Sequence, residues 1–495
     1  MSKNLVIVES PAKAKTIEKF LGPDYVVKSS IGHIRDMPKK DMGVDIENNF
    51  QPTYAISADK KKVVADLKKS VKTATKIYLA TDEDREGEAI AWHLQQALSL
   101  AEDTPRIVFH EITKGAITKA ISNPRTINTD LVNAQQARRI IDRLVGFEIS
   151  PVLWRKISGA RSAGRVQSPV VRLVVERERE ISTHKPTSSH KIKASLSNQD
   201  GETLEVRLSE DFKSKEDALA FVESILDSTI KVNSVETKPS KRSPKAPFIT
   251  STLQQEASQK LGFSVKQTMS IAQNLYREGA ITYMRTDSLN LSELAIDAAQ
   301  EVIISKFGKD HHQARRYKTN STGAQEAHEA IRPTDLTKPT IPGLDDQSTK
   351  LYSLIYKRTL ASQMSDAQLL KTKININISN RSERFIAEGE MLTFGGFLEV
   401  YDYMAADDKL LPKIEKGAAL SLIDLTSKES FSRAKPRYTE ASLVKEIEQM
   451  GIGRPSTFAT MITTVQDRNY VVKDTREGIQ REYQHIEIVD GVISE

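Results

Sequence analysis

The chain contains no cysteine among its 495 residues, so disulfide bonds, thiol catalysis and cysteine-bound zinc are excluded within it. No apolar run approaches the ~20 residues of a membrane-spanning helix, and the N-terminal apolar run is too short for a signal peptide. No G-x-x-x-x-G-K-[ST] phosphate-binding loop is present, which disfavours a P-loop NTPase. The composition and the lack of cysteine favour a soluble, cytosolic protein.

Positive charge exceeds negative charge by a small margin. The chain has 72 Lys and Arg residues against 66 Asp and Glu residues, which gives a net charge of +6. The excess is concentrated in residues 138–180, which contain ten basic and five acidic residues. A basic segment of this kind favours a polyanionic partner such as nucleic acid.

An acidic triplet follows a short apolar run at residues 77–80. Asp82, Asp84 and Glu86 are spaced two apart, so their side chains would point the same way in an extended loop. Clustered carboxylates repel one another unless they share a cation, and their oxygens suit Mg²⁺. Acidic residues are also common in the first helical turn, and a helical pattern follows Gly87. The triplet alone leaves a metal site and a helix start equally open.

Strand and helix patterns alternate through residues 1–125, which predicts a parallel sheet with flanking helices and a third strand over 107–109. In such sheets, ligands bind beyond the carboxyl ends of the strands. Glu9 ends the first strand, so we expect it near the acidic triplet, with Lys13 facing the same crevice. Residues 36–62 are polar and indicate an insertion.

A second chemical motif, GAITYMRTDSLNLS, contains a tyrosine. Tyr283 lies in a predicted extended segment, with Arg285 and Asp287 on its side. A free tyrosine has a pKa of about 10 and is a poor nucleophile at neutral pH. A nearby guanidinium favours the phenolate and neutralises phosphoryl charge in the transition state. These residue types suit phosphoryl transfer, although Tyr283 is one of 13 tyrosines and the types alone do not single it out.

Two strand-rich pieces flank a helical segment in the middle of the chain. Residues 182–246 and 370–432 hold the strand patterns, which continue through FGGFLEVY, and residues 247–369 are mostly helical. This order predicts a β domain interrupted by a helical insertion. Residues 238–247, rich in Lys, Ser and Pro, are the predicted linker between the two.

Residues 433–495 repeat the helix, glycine turn, helix and strand order of residues 252–283, and a hairpin is predicted at the end. In the second copy Arg454 is presented with Ser456 and Thr457 at a helix start. The backbone N–H groups of a helix start and an arginine together suit a phosphate. A stiff structural turn explains the same residues.

Together these motifs resemble those of type IA DNA topoisomerases, in the bacterial topoisomerase I branch. The matching segments, in chain order, are VIVESPAKAKTI, SSIGHIRDMP, ATDEDREGEAIAWHL, SAGRVQS, ITYMRTDS, AQEAHEAIRPTD and GRPST. The resemblance covers nearly the whole chain. The chain stops at Glu495, where relatives continue with further helices and often zinc-ribbon modules, so we expect the last domain to be incomplete.

The resemblance implies a multidomain fold of the α/β and α+β classes. It places a Rossmann-like Toprim domain at 1–125 and a basic helical base domain at 126–181 and 433–495. A hinged β-rich arch at 182–246 and 370–432 carries the tyrosine domain, 247–369. Together these parts would enclose a hole wide enough for duplex DNA.

The resemblance also implies roles for individual residues. Tyr283 is the implied nucleophile, and further catalytic roles fall to Glu9, Lys13, Arg285, Asp287 and His328. Glu9, Asp82, Asp84 and Glu86 are implied to bind Mg²⁺. DNA contacts are implied for His33, Arg138, Arg161, Arg165, Gln167, Arg332, Arg454, Ser456 and Thr457. From its own residue type His33 is more readily a structural histidine. For His328 a helix-surface histidine is the alternative, and the functional role is favoured.

The implied activity is Mg²⁺-dependent, ATP-independent relaxation of negatively supercoiled DNA. A single-strand break held as a 5′-phosphotyrosine would allow strand passage and then religation. The implied enzyme is a cytoplasmic, nucleoid-associated monomer that binds a single-stranded DNA segment. A decatenase-type member of the same family is one alternative. A Toprim nuclease or primase is a more distant one, because those enzymes need no tyrosine motif.

Overall fold

The computed structural model describes residues 3–318, 329–401 and 410–495. The helices of these ranges are α1 (Pro11–Leu21), α2 (Lys61–Thr73), α3 (Arg85–Leu98), α4 (Lys114–Ser122), α5 (Thr129–Lys156), α6 (Gln167–Thr183), α7 (Lys215–Ile225), α8 (Thr250–Leu261), α9 (Val265–Arg277), α10 (Glu293–Phe307), α11 (Asp346–Ser362), α12 (Glu440–Gln449) and α13 (Phe458–Asp467). The strands are β1 (Asn4–Val8), β2 (Tyr25–Ser29), β3 (Arg35–Asp36), β4 (Val44–Asp45), β5 (Gln51–Pro52), β6 (Ala55–Ile56), β7 (Ile77–Leu79), β8 (Ser188–Ser197), β9 (Thr203–Leu208), β10 (Ile230–Arg242), β11 (Ala367–Ile378), β12 (Arg384–Phe394), β13 (Ala419–Phe431), β14 (His485–Val489) and β15 (Val492–Ser494).

A three-stranded parallel sheet in the order β2-β1-β7 forms the N-terminal core, which confirms the predicted sheet type. Successive residues of β1 point to opposite faces. Val6 and Val8 pack in one apolar cluster, and Leu5 and Ile7 pack in another. The central strand is therefore covered on both sides, which explains its continuous apolar run.

The predicted strand over 107–109 is wrong, and β2 takes a place in the sheet that was not predicted. Only Arg106 forms bridges there, to Leu79 and to Arg125. Ile107 and Phe109 are buried without a ladder of their own. A short apolar run indicates burial, but by itself it does not distinguish a strand from a buried connecting segment.

The helices around Tyr283 share a core with one face of the N-terminal sheet. A single apolar cluster contains Val8 and Phe109 from the sheet side and Leu275 and Tyr283 from the helical side. Helix α8 ends at Gly262, whose φ of 70° is left-handed, and the Ser264 side chain then caps α9. The shared apolar cluster therefore holds the N-terminal sheet and the helices around Tyr283 together.

Eight strands form one antiparallel sheet in the order β10-β11-β12-β9-β8-β13-β14-β15, and a further pairing of β10 with β13 closes part of it on itself. Strand β10 runs through Arg242, so the first half of the predicted linker is strand. Pro239 is tolerated because β13 pairs with β10 only at Ile230 and Lys231, which leaves β10 as an edge strand at the proline.

The predicted strand at FGGFLEVY is also wrong, because Gly396–Glu399 forms a short 3-10 turn. Gly396 has a φ of 53°, and a Cβ there would lie 2.6 Å from the carbonyl oxygens of Ser365 and Asp366. The two glycines therefore allow a tight turn against the segment between α11 and β11, which a strand would not make.

The chain ends in the predicted hairpin, β14 and β15. Its strands join the large sheet beside β13, where Ile486 and Ile488 are buried in the core of that sheet. Helices α12 and α13 pack elsewhere, against α6 and α9 residues such as Val170 and Val265. The hairpin is therefore separate from the rest of the predicted base domain, and the other domain boundaries stay predictions.

No helix within 3–318, 329–401 and 410–495 is long and apolar enough to cross a membrane.

Candidate active site

A cavity of about 1070 Å³ lies beyond the carboxyl ends of the parallel strands. Its lining comes from the end of β1, the start of α3, one face of α5, the loop before α6, the Tyr283 segment and the start of α13. Five carboxylates, Asp142 among them, and several arginines meet there. The cavity includes Glu9, His33, Asp82, Asp84, Glu86, Arg138, Arg165, Gln167, Arg285, Ser456 and Thr457.

The acidic triplet is arranged by a helix start as well as by a loop. Asp84 is the N-cap of α3, and its Oδ1 accepts a hydrogen bond from the Gly87 N–H at 2.8 Å. Glu86 already lies in the first helical turn, so helical geometry positions it instead of the predicted extended loop. Gly87 is required here, because a Cβ would lie 2.0 Å from the Asp82 carbonyl oxygen.

A buried arginine that the sequence did not predict holds this loop in place. Arg106 is fully buried, and its guanidinium donates to the carbonyl oxygens of Thr81 and Asp82, each at 2.8 Å. Its Nε also lies 3.2 Å from Glu88 Oε2. Glu88 in turn binds Arg125, with Nη1 at 2.7 Å. The only sequence feature that could have indicated this role is that Arg106 directly precedes the apolar run at 107–109.

Lys13 joins Glu9 to Asp82, as the strand-end argument predicted. The Lys13 side chain is fully buried, and its Nζ lies 3.0 Å from Glu9 Oε1 and 2.9 Å from Asp82 Oδ1. Burial and the Asp82 charge raise the pKa of Glu9 to about 7, although Lys13 acts in the opposite direction. Glu9 can therefore bind or release a proton near neutral pH.

Tyr283 is buried directly beside the acidic loop and is not among the residues that line the cavity. Its hydroxyl donates to Asp84 Oδ2 at 2.7 Å, and its backbone N–H donates to the His110 carbonyl at 2.9 Å. The ring packs edge-on against Tyr276, with centroids 5.2 Å apart. The nucleophile candidate is thus bonded directly to the acidic triplet.

Arg285 favours the phenolate form of Tyr283, as expected, but its effect is smaller than the combined effect of burial and the neighbouring carboxylates. Burial and the charges of Asp84 and Asp82 raise the pKa of Tyr283 well above its ordinary value, and Arg285 offsets this only in part. Arg285 Nη1 lies 3.7 Å from Asp84 Oδ2, so the positive charge of Arg285 is paired with this carboxylate as well as lying near Tyr283. Asp84 is therefore placed to accept the phenolic proton.

The carboxylates are of the right chemical type for a divalent cation, but no three of them form a metal-binding cluster in the described parts of the chain. Each has a protein partner instead. Glu86 lies 3.3 Å from His33 Nε2 and accepts from Gln135 Nε2 at 3.1 Å. Burial alone would raise the pKa of Glu86, but His33 and Gln135 lower it to about 2.

Most of the predicted DNA-contact residues face a cavity. His33, Arg138, Arg165, Gln167, Ser456 and Thr457 line the large one. Arg454 and Asp287 line a smaller neighbour of about 80 Å³, together with Arg138 and Ser456. Arg161 is not among the lining residues of either, and its backbone N–H bonds to the Tyr470 hydroxyl at 2.8 Å.

Arg332 is mostly buried among protein partners, and its DNA contact stays a prediction. The residue is 7% exposed, and its guanidinium donates to Glu329 at 2.7 Å, to the Pro333 carbonyl at 3.0 Å and to Glu111 at 3.0 Å. These partners leave the cation inside an ion-pair network that joins the helical region to the N-terminal region. His328 lies outside the described residues.

The parallel sheet with its acidic loop and the helical region that presents Tyr283 lie in two segments that match models of known families. The Toprim domain model matches residues 4–112, and the DNA topoisomerase family model matches residues 126–490. The chain belongs to the type IA DNA topoisomerase family, which confirms the resemblance drawn from its motifs.

The chain is similar to proteins named DNA topoisomerase 1 from several bacteria. It is 46% identical to the Campylobacter jejuni protein over 97% of this chain and 71% of that one. For the Escherichia coli and Streptomyces coelicolor proteins, the identity is 45%. The Escherichia coli match covers 96% of this chain and 60% of that protein. The Streptomyces coelicolor match covers 95% of this chain and 56% of that protein. The chain therefore spans little more than half the length of some relatives.

A solved structure shows the same architecture. Full-length topoisomerase I from Thermotoga maritima superposes with a TM-score of 0.85 at 40% identity, covering 95% of this chain and 79% of that one. The Toprim match is also consistent with use of a divalent cation.

Proposed function

We propose that the chain is a DNA topoisomerase that relaxes negatively supercoiled DNA through a transient break in one strand. The observation that carries this proposal is the contact between the Tyr283 hydroxyl and Asp84 Oδ2, at 2.7 Å. It joins a buried tyrosine to an acidic loop that comes from a different part of the chain. Neither a nuclease nor a primase of the Toprim type requires such a contact, so the site favours neither.

In the proposed cleavage step, the Tyr283 oxygen attacks a DNA phosphorus atom while the phenolic proton passes to Asp84. The bond from phosphorus to the 3′ oxygen breaks, and the strand becomes a 5′-phosphotyrosine. The leaving 3′ oxygen takes a proton from Glu9, whose pKa of about 7 keeps a protonated fraction at neutral pH. Religation reverses these transfers.

Two cations of the chain support the charge that develops on the phosphoryl group. Lys13 is held between Glu9 and Asp82, and Arg285 lies beside Asp84. Cations that are fixed in place before the reaction stabilise such charge strongly. Because the phosphotyrosine preserves the energy of the broken bond, the proposed reaction needs no ATP.

The arginine-lined part of the cavity supports binding of a single-stranded segment, which negative supercoiling supplies. Arg138, Arg139, Arg143 and Arg165 face this space. Arginine is suited to bidentate contacts with phosphate. We propose a monomer that acts in the cytoplasm on nucleoid DNA.

Strand passage would require the Tyr283 region to separate from the N-terminal region while the phosphotyrosine holds the cut strand. Besides their shared apolar core and the Tyr283–Asp84 bond, the two regions meet through three further polar contacts. These are the Tyr283–His110 backbone bond, a bond from Thr16 Oγ1 to the Arg277 carbonyl at 3.0 Å, and the Arg332–Glu111 pair. Such polar contacts can be broken and remade. Opening of this junction, followed by closure, is the proposed gate.

Chelation is expected to lower DNA relaxation by at least about 100-fold, because a bound cation contributes several kcal/mol of charge stabilisation. Mg²⁺ is the proposed ion, with Glu9, Asp82, Asp84 and Glu86 as the residues that would hold it and orient the DNA phosphate. Relaxation of plasmid is measured in EDTA and again after Mg²⁺ is restored. Equal rates in the two conditions would remove the cation from the proposal.

The experiment that tests the proposed function is capture of the covalent intermediate. The protein is mixed with single-stranded oligonucleotides labelled at one end and is then denatured rapidly. We expect a labelled protein adduct only when the label lies on the 3′ side of the break, and peptide mapping should locate it at Tyr283. An adduct through a 3′ phosphate, or none at all, would contradict the mechanism.

A further inference from the structure

One face of α5 lines the cavity along most of the helix, and its character changes with distance from the acidic loop. The part nearer the loop is cationic, with Arg138, Arg139 and Arg143 against one carboxylate, Asp142. Beyond Gly146 the face carries no charged residue and consists of Phe147, Ser150, Pro151 and Trp154. At about 1.5 Å per residue, the face runs for roughly 24 Å from Arg138 to Trp154.

Trp154 is both exposed and fixed in orientation. Its side chain is 57% exposed, although tryptophan is usually well buried. The indole Nε1–H donates to the Arg161 carbonyl at 2.7 Å, so the loop before α6 holds one edge of the ring. The polar atom of the indole is therefore satisfied by the protein, and the ring still presents exposed apolar surface.

The position of Trp154 differs from that of other exposed apolar residues on the same helix. Ile149 and Val152 are 46% and 44% exposed, but neither is among the residues that line the cavity. Trp154 lines it together with Phe147 and the arginines. An aromatic ring that follows a row of arginines in one groove is the arrangement that binds single-stranded nucleic acid, with bases on the ring and phosphates on the cations.

We propose that Trp154 stacks against an unpaired base of the bound strand, at the end of α5 away from the acidic loop. The inference rests on the proposed function and adds a second point of attachment to it. The cut site holds one part of the strand, the arginines neutralise the phosphates that follow, and Trp154 holds a base beyond them. Stacking of this kind accepts any base, because every base has a flat face.

Tryptophan fluorescence tests the contact directly, since the chain has only two tryptophans. The other, Trp92, packs against Tyr54 with ring centroids 5.9 Å apart. In a Trp92→Phe variant Trp154 is the sole reporter. Oligodeoxythymidylates long enough to reach from the cut site are expected to quench its emission by about half or more, as stacked bases do, and very short ones to leave it unchanged. Unchanged emission at saturation, with binding followed by anisotropy of a labelled oligonucleotide, overturns the proposal.

Affinity measurements give an independent test. Trp154→Ala is expected to weaken binding of a long oligonucleotide by about tenfold, whereas Trp154→Tyr keeps most of the affinity. Val152→Ala is the matched control on the same helix and should bind as wild type does. Equal affinities for Trp154→Ala and Val152→Ala overturn the stacking contact. A wild-type protein that forms no covalent adduct would instead overturn the proposed function, so the two failures are distinguishable.

Discussion

Replacement of Tyr283 by phenylalanine is expected to abolish the covalent adduct and to lower DNA relaxation by on the order of 10⁴-fold or more, as removal of a nucleophile does in other enzymes. The substitution removes one oxygen atom and leaves the ring that packs 5.2 Å from Tyr276. The lost atom is the one that lies 2.7 Å from Asp84 Oδ2. The fold should therefore persist while the chemistry stops.

The neighbouring tyrosine provides a matched control. Tyr276 is as deeply buried as Tyr283, but its hydroxyl has no hydrogen-bond partner among the described residues. Tyr276→Phe should keep the adduct, and Tyr283→Phe should still bind single-stranded DNA. Plasmid relaxation and denaturing gels measure the two activities. An adduct that survives in Tyr283→Phe would show that another residue is the nucleophile.

The N-terminal fold could be predicted where strands are buried on both faces. β1 and β7 are short, continuous apolar runs, and their carboxyl ends place Glu9 and Asp82 at one edge by a general property of parallel sheets. β2 escaped prediction because only Val27 of its five residues is buried, so it has no such run. The apolar run at 107–109 was wrongly predicted to be a strand for the opposite reason. Its residues are buried, but they form no ladder with another strand.

The candidate site could be predicted only where local geometry decides it. Glu9 and Lys13 are four residues apart and lie on adjoining elements, so their contact follows from the strand-to-helix turn. Tyr283 and Asp84 are 199 residues apart, and no spacing rule joins them; the family resemblance alone paired them. The burial of Arg332 could not be predicted, because its partner Glu111 lies 221 residues away and a sequence does not show which cations are buried.

The buried network beneath the acidic loop was invisible in the sequence for the same reason. Glu88 and Arg106 are both fully buried, and Arg125 completes the group. Glu88 also accepts the Asn128 backbone N–H at 2.6 Å. Because Arg106 donates to the carbonyls of Thr81 and Asp82, this network couples the stability of the N-terminal region to the position of the acidic loop.

Glu88→Ala is therefore expected to destabilise the N-terminal region by about 3–5 kcal/mol, because it leaves the buried Arg106 cation without its carboxylate partner. Burial alone would raise the pKa of Glu88, but Arg125, Arg106 and the Asn128 N–H together lower it below its ordinary value. A carboxylate with a depressed folded-state pKa stabilises the fold above its unfolded pKa of about 4.3, and this contribution is lost as the pH falls through the folded value. The difference between wild type and variant should thus be full at neutral pH and should shrink in acid.

Urea unfolding can follow this region alone in a Trp154→Phe background, because the remaining tryptophan, Trp92, packs against the core that contains Ile90 and Leu94. Glu102→Ala is the control, since Glu102 is exposed in the loop after α3 and its removal should change stability by no more than about 0.5 kcal/mol. If Glu88→Ala matched that control at neutral pH, Arg106 would have to be compensated by the carbonyl oxygens alone. The acidic loop would then owe its position to hydrogen bonds and not to the ion pair.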